Sequence, residues 1–150
     1  MNVTFLPGSI KSAFLVLIQF ICIGIIAFTG KVIPENLFLL LALIFSLILA
    51  VWSMIVMKFH FNAAPDVLPG AKLTIKGPYK LIRHPMYTSL LLLILVWIIN
   101  DFTFVRLTIS IIFFIDLILK IFYEEKLLSK NFKEYSKYKK RTKRIIPYIY

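Results

Sequence analysis

The residues of this chain that could do chemistry are few and unevenly placed. Two histidines, His60 and His84, stand well apart; two adjacent carboxylates, Glu124 and Glu125, follow an apolar run; and Asp116, Lys120 and Glu124 recur at i, i+4 and i+8. That last spacing stacks three charges on one helical face, either as a self-neutralising ladder or as the wall of a polar pocket. A metal site fits poorly, because adjacent carboxylates project about 100° apart on a helix and the two histidines have no ligand spacing. No metal is expected. Neither G-x-S-x-G nor G-x-G-x-x-G occurs, so a nucleophile elbow and a soluble dinucleotide-binding domain are both absent. The lone Cys22 cannot form an internal disulfide or a cysteine zinc site. What remains open to these groups is charge balance and proton transfer.

These groups must be held by elements that belong in a bilayer. Of 150 residues, 60% are apolar and 17% charged, against roughly 45–50% and about 25% in soluble domains. Ser12–Phe28 and Leu37–Met57 carry no charge and satisfy the length rule for a spanning helix. The turn residues Gly30 and Pro34 lie between them, which predicts a helical hairpin. Tyr87–Ile99 is shorter, at ~20 Å against a ~30 Å hydrocarbon core. Phe104–Tyr123 is long enough but carries Arg106, Asp116 and Lys120, charges that in such a segment face protein or a polar cavity. A cleaved signal peptide is the poorer reading of the first segment, whose apolar run exceeds the usual h-region.

The prediction is therefore an all-α, polytopic membrane protein forming one domain over residues 1–150. It has about four transmembrane helices (12–28, 37–57, 87–99 and 104–123), the short third one paired with the fourth. A cytoplasmic loop covers 58–86, and a tail over 124–150 contains an amphipathic helix. Placing both termini in the cytoplasm puts 16 of 18 Lys and Arg on one side, leaving Lys31 and Arg106 outside. The net charge of +11 then reads as orientation and contact with anionic lipid headgroups, not nucleic acid. Pro65, Pro69, Gly70, Gly77, Pro78 and Pro85 break the loop into turns, as befits a binding loop.

Gly77-Pro-Tyr-Lys-Leu-Ile-Arg-His-Pro-Met-Tyr87, a short apolar helix, a second helix ending in Glu124-Glu125, and then Phe132, Tyr135, Tyr138-Lys-Lys-Arg141 and Ile-Ile-Pro147 form a specific pattern. Over about residues 70–147 it resembles the isoprenylcysteine carboxyl methyltransferases and their relatives, the phospholipid N-methyltransferases. The resemblance implies a multi-pass methyltransferase of a bacterial-type plasma membrane that uses S-adenosylmethionine. It implies cofactor contacts at Leu73, Thr74, Tyr79, His84, Pro85, Met86, Tyr87, Glu124 and Glu125, and catalytic roles for Glu124, His84 and Arg83, with Arg83 also organising the loop. Lys120 stands where prenylcysteine members have a substrate-facing Arg, and with Asp116 it is assigned to the acceptor. Ala71 and Ser89 also depart from the pattern, where eukaryotic members have a His and many members a Gly.

The acceptor should be lipophilic. A prenylcysteine-like carboxylate comes first, a phosphatidylethanolamine amine second and a small hydrophobic thiol third. A non-catalytic membrane adaptor is the reading from another class, and the oligomeric state is left open. A carboxylate needs no base, whereas an ammonium must first lose a proton, for which His84 or a Glu is the candidate.

Overall fold

The computed structural model describes residues 10–57, 73–147 and 149. Helix α1 spans Ile10–Phe28, α2 Leu37–Val56, α3 Pro85–Asn100, α4 Phe104–Asn131 and α5 Tyr135–Arg141, with a 3-10 turn at Gly77–Lys80. Among the described residues the only β-type pairing is an isolated parallel bridge between Ile82 and Lys143. His60 and Ala71 lie outside the described residues.

The helix starts have local causes. Asn36 caps α2, its Oδ1 accepting from the Phe38 and Leu39 amides at 2.9 and 3.3 Å. Thr103 Oγ1 likewise accepts from the Arg106 amide. Pro85 opens α3 because the first helical position needs no amide donor and suits the fixed φ of proline. The expected loop therefore ends earlier than 86, and Pro85 and Met86 belong to the first turn of α3.

Pairing departs from the expected hairpin. The extensive contacts are α1 with α4 and α2 with α3, while α3 touches α4 and α1 over smaller areas. Buried chemistry explains it: α2 hides Ser46, Leu49 and Ser53, a narrow stripe that admits a close neighbour, whereas α1 hides Ser12, Gln19 and Cys22, which suit the polar face of α4. A small apolar core of Cys22, Ile26, Ile94, Trp97, Phe113 and Leu117 joins α1, α3 and α4.

Helix α4 is turned inside out relative to a soluble helix. Its buried face carries Arg106, Ser110, Asp116, Lys120 and Glu125, and its exposed face carries Phe104, Val105, Ile111, Ile112, Phe114, Ile115, Leu119 and Phe122. Such a surface is stable against hydrocarbon and costly in water. Helices α1 and α2 are long and apolar enough to cross a membrane, and most of each lies uncovered, unlike the core helix of a soluble protein.

The tail differs from the amphipathic helix expected after residue 124. Helix α4 continues through the Glu pair to Asn131, so Leu127 and Leu128 belong to it and the pair sits in a helix interior, not at a helix start. The backbone becomes extended at Phe132, and only the seven-residue α5 follows. The break lets the chain return to the loop. Lys143 N donates to Leu81 O at 3.2 Å, Arg83 N to Lys143 O at 2.7 Å and His84 N to Arg144 O at 3.0 Å.

Candidate active site

The Glu pair is positioned by α4, and its two members face different partners. Glu125 points inward, its side chain 5% exposed, and is ringed by cations. Arg83 Nε lies 2.9 Å from Oε1, Arg144 Nη2 3.2 Å from Oε2, Lys139 Nζ 3.6 Å from Oε2, and His84 Nε2 3.6 Å from Oε1. Burial alone would raise its pKa, but the His84, Arg144 and Arg83 donors outweigh that and hold the carboxyl well below the usual range. Arg83 also donates through Nη1 to the carbonyls of Lys139 and Thr142. One guanidinium thus reaches from the loop to α4 and to the tail.

Glu124 is the less committed carboxylate. Its side chain is 31% exposed, and Oε2 lies 3.5 Å from His84 Nδ1. Tyr87 hydrogen-bonds to it as well. Burial opposes its charge, yet His84 and Tyr87 together hold its pKa below the ordinary value. His84 is 4% exposed and stacks on Tyr87, with ring centroids 5.5 Å apart and planes 18° from parallel. Burial would make the imidazole less basic, but the carboxylates of Glu124 and Glu125 prevail and raise its pKa above the ordinary 6.5. His84 Nε2 is buried without a hydrogen-bond partner. With Nδ1 facing Glu124 and Nε2 facing Glu125, the imidazole is backed by a carboxylate on each side, and the partly exposed Glu124 is the side from which a proton can reach it.

Tyr79 is used differently from an open aromatic face. It is buried, its hydroxyl donates to Met57 Sδ at 2.8 Å, and its carbonyl accepts from Tyr138 Oη at 2.7 Å. Burial, with the charge of Arg83 pulling the other way, pushes the Tyr138 hydroxyl up to about 12. Gly77 permits this arrangement: its φ is +55°, and a Cβ there would stand 2.8 Å from Val56 Cγ2 of α2.

Of the residues singled out from sequence, Arg83, His84, Tyr87, Glu124 and Glu125 come together. Pro85 is buried at the start of α3, and Met86 is half-buried with its carbonyl accepting from Ser89 Oγ at 2.7 Å. Leu73 and Thr74 are half-buried ahead of the 3-10 turn, outside the hydrogen-bonded network. Asp116 and Lys120 turn toward α1. Lys120 is fully buried, donates to Gln19 Oε1 and lies 3.6 Å from Asp116 Oδ2.

Sequence reasoning missed Arg144, Lys139, Thr142 and Gln19. Nothing in a basic tail marks which two cations reach a buried carboxylate. Gln19 did carry a signal, as an amide inside an uncharged apolar run. The sequence marks Arg106 as a charge that must face protein or a polar cavity, but not the partners of the second polar knot it forms. Arg106, fully buried, donates to the carbonyls of Asp101 at 2.5 Å and Ile26 at 3.2 Å, and Asp101 Oδ2 accepts from the Lys31 amide at 3.1 Å.

No curated protein and no solved structure matches this chain. A family model, described as phospholipid methyltransferase, matches residues 36–135, which run from the cap of α2 through the loop, α3, α4 and the first residue of α5. With two-thirds of its length matched, including the loop that carries His84 and the helix that carries the Glu pair, the chain belongs to the phospholipid methyltransferase family of membrane methyltransferases.

Proposed function

We propose that this protein is a multi-pass membrane enzyme that uses S-adenosylmethionine to methylate a lipophilic acceptor, with the amine of a phospholipid headgroup as the favoured substrate. The observation that carries this is the His84–Glu124 pair. A protonated amine must lose a proton before it can attack, and a buried imidazole made more basic by a carboxylate at 3.5 Å is the group for that task. An ionised Glu124 also attracts an ammonium and repels an acceptor carboxylate.

The site fits the cofactor on two counts. The partly exposed Glu124 carboxylate suits a cationic sulfonium or ribose hydroxyls, and the half-buried Tyr87 ring, stacked on His84 beside it, offers an aromatic face to a cation. The cofactor supplies an electrophilic methyl group. The chain's part is to bind it with Tyr87, Glu124, Met86 and the 3-10 turn, to hold the acceptor nitrogen in line, and to take the acceptor's proton through Glu124 to His84. The nitrogen lone pair forms the new C–N bond as the C–S bond breaks, leaving a neutral thioether.

Four spans are supported by the distance between the polar knots. Arg106 and Glu124 are 18 residues apart on one helix, or ~27 Å, close to the ~30 Å hydrocarbon thickness. Helix α3 runs back from one knot to the other, His84 beside Glu124 and Asp101 beside Arg106. The basic tail then lies at the cytoplasmic surface against anionic lipids, with both termini on that side. The G-x-Y-x-x-x-R-H-P-x-Y element favours a second reading, O-methylation of a prenylcysteine-like carboxylate, which needs no base.

The test is binding and product chemistry. Detergent-purified protein should bind S-adenosylmethionine or S-adenosylhomocysteine, and Glu124→Gln should weaken that binding; no binding at millimolar cofactor returns the chain to the adaptor class. Membranes given methyl-labelled cofactor should yield base-stable label in the lipid fraction, and base-labile label would transfer the assignment to the carboxylate reading.

A further inference from the structure

The polar contact between α1 and α4 points to a determinant of acceptor choice. Lys120 lies one helical turn below Glu124 on the same face of α4, so its ammonium is at the level where an acceptor group approaching Glu124 from the membrane would arrive. A free ammonium there would favour an anionic acceptor and repel an amine. It is not free. The ammonium is fully buried and donates a hydrogen bond to Gln19 Oε1, with Asp116 Oδ2 3.6 Å away. Gln19 is itself 8% exposed, and neither oxygen of Asp116 has a hydrogen-bond partner, so Asp116 alone does not satisfy the cation. Gln19 belongs to α1, which lies outside the family-matched residues 36–135.

We propose that Gln19 is a specificity-determining residue: by holding the Lys120 ammonium in the α1–α4 interface, it keeps that charge from the acceptor and makes the site select an amine over a carboxylate. This rests on the reading of the protein as a lipid-directed methyltransferase and names the device that sets its substrate class. With Leu at position 19 the ammonium keeps Asp116 as a partner but has N–H donors left over, which an anionic acceptor group can fill and an ammonium cannot. Glu at position 19 would hold the ammonium at least as firmly.

The experiment uses full-length protein in phosphatidylcholine vesicles with methyl-labelled cofactor and two probes in competition, dioleoylphosphatidylethanolamine and an S-farnesylcysteine carboxylate. Base-stable and base-labile label report the two products. Gln19→Leu should raise the carboxylate-to-amine ratio about tenfold, the equivalent of ~1.4 kcal/mol in discrimination. Gln19→Glu should leave the ratio at or below its native value, and adding Lys120→Met to Gln19→Leu should abolish the gain. Cofactor binding by each variant, measured separately, reports folding. A ratio within twofold of native in Gln19→Leu that still binds cofactor overturns the proposal, as does a gain that survives Lys120→Met. Should Gln19→Leu fail to bind cofactor, Gln19→Glu decides: a raised carboxylate ratio there refutes it. Native protein that methylates neither probe overturns the underlying functional reading instead.

Discussion

Arg83→Gln is the substitution whose outcome the structure sets most tightly. The guanidinium, 6% exposed, is within 2.9 Å of a Glu125 carboxylate that is 5% exposed, and it also serves the carbonyls of Lys139 and Thr142. Removing one partner of a buried ion pair costs ~3–5 kcal/mol, because the other charge stays desolvated. Here Arg144 at 3.2 Å and Lys139 at 3.6 Å still face Glu125, so the lower end applies, ~3 kcal/mol or about a hundredfold in an opening equilibrium. The loss should be local. Hydrogen exchange in detergent reads it directly: the amides of Arg83, His84 and Lys143, which pair the loop with the tail, should lose about a hundredfold in protection, while α2 keeps its own. Acid should mimic the substitution. The Glu125 pKa is depressed in the folded protein, so its contribution is complete above its ordinary value of 4.5 and disappears as pH falls toward the folded value. The double variant Arg83→Met/Glu125→Leu should recover only part of the protection: the pair no longer holds a desolvated charge, but the carbonyls of Lys139 and Thr142 still lose their donor. Protection unchanged within threefold in Arg83→Gln would refute the view that this pair locks the tail to the loop.

Three further outcomes follow from the geometry. Methyl transfer to an amine should rise with pH through a midpoint above 6.5, because His84 must be neutral to accept a proton, and Glu124→Gln should move that midpoint to lower pH; a flat profile would remove His84 from proton transfer. Gly77→Ala should lower the thermal unfolding midpoint by the equivalent of ~1–2 kcal/mol, from its positive φ and the close approach to Val56, and should weaken cofactor binding; unfolding at the native temperature would contradict this. Arg106→Leu should cost ~2 kcal/mol in thermal stability by stranding the carbonyls of Ile26 and Asp101, with cofactor affinity retained because the knot is at the far end of α4; a parallel loss of affinity would show that the two ends are coupled.

What could be read from sequence was whatever depends on local pattern. Uncharged runs of the right length mark α1 and α2, the Gly77–Tyr87 element marks the loop, and the i, i+4, i+8 spacing places Asp116, Lys120 and Glu124 on one face of α4. Those signals depend on short-range sterics and on side-chain transfer energies, which a sequence states directly. Which helices pair, where α4 ends and how the two glutamates divide their work were decided by tertiary structure. Adjacent carboxylates look alike in a sequence. In the fold, Glu125 faces inward and collects Arg83, Lys139 and Arg144 from segments up to 42 residues away, while Glu124, turned about 100° around the helix, keeps partial exposure and a neighbouring imidazole. The physical reason is desolvation. A buried charge must be neutralised by whichever partners the chain's path brings within reach, and that path depends on the packing of the whole molecule.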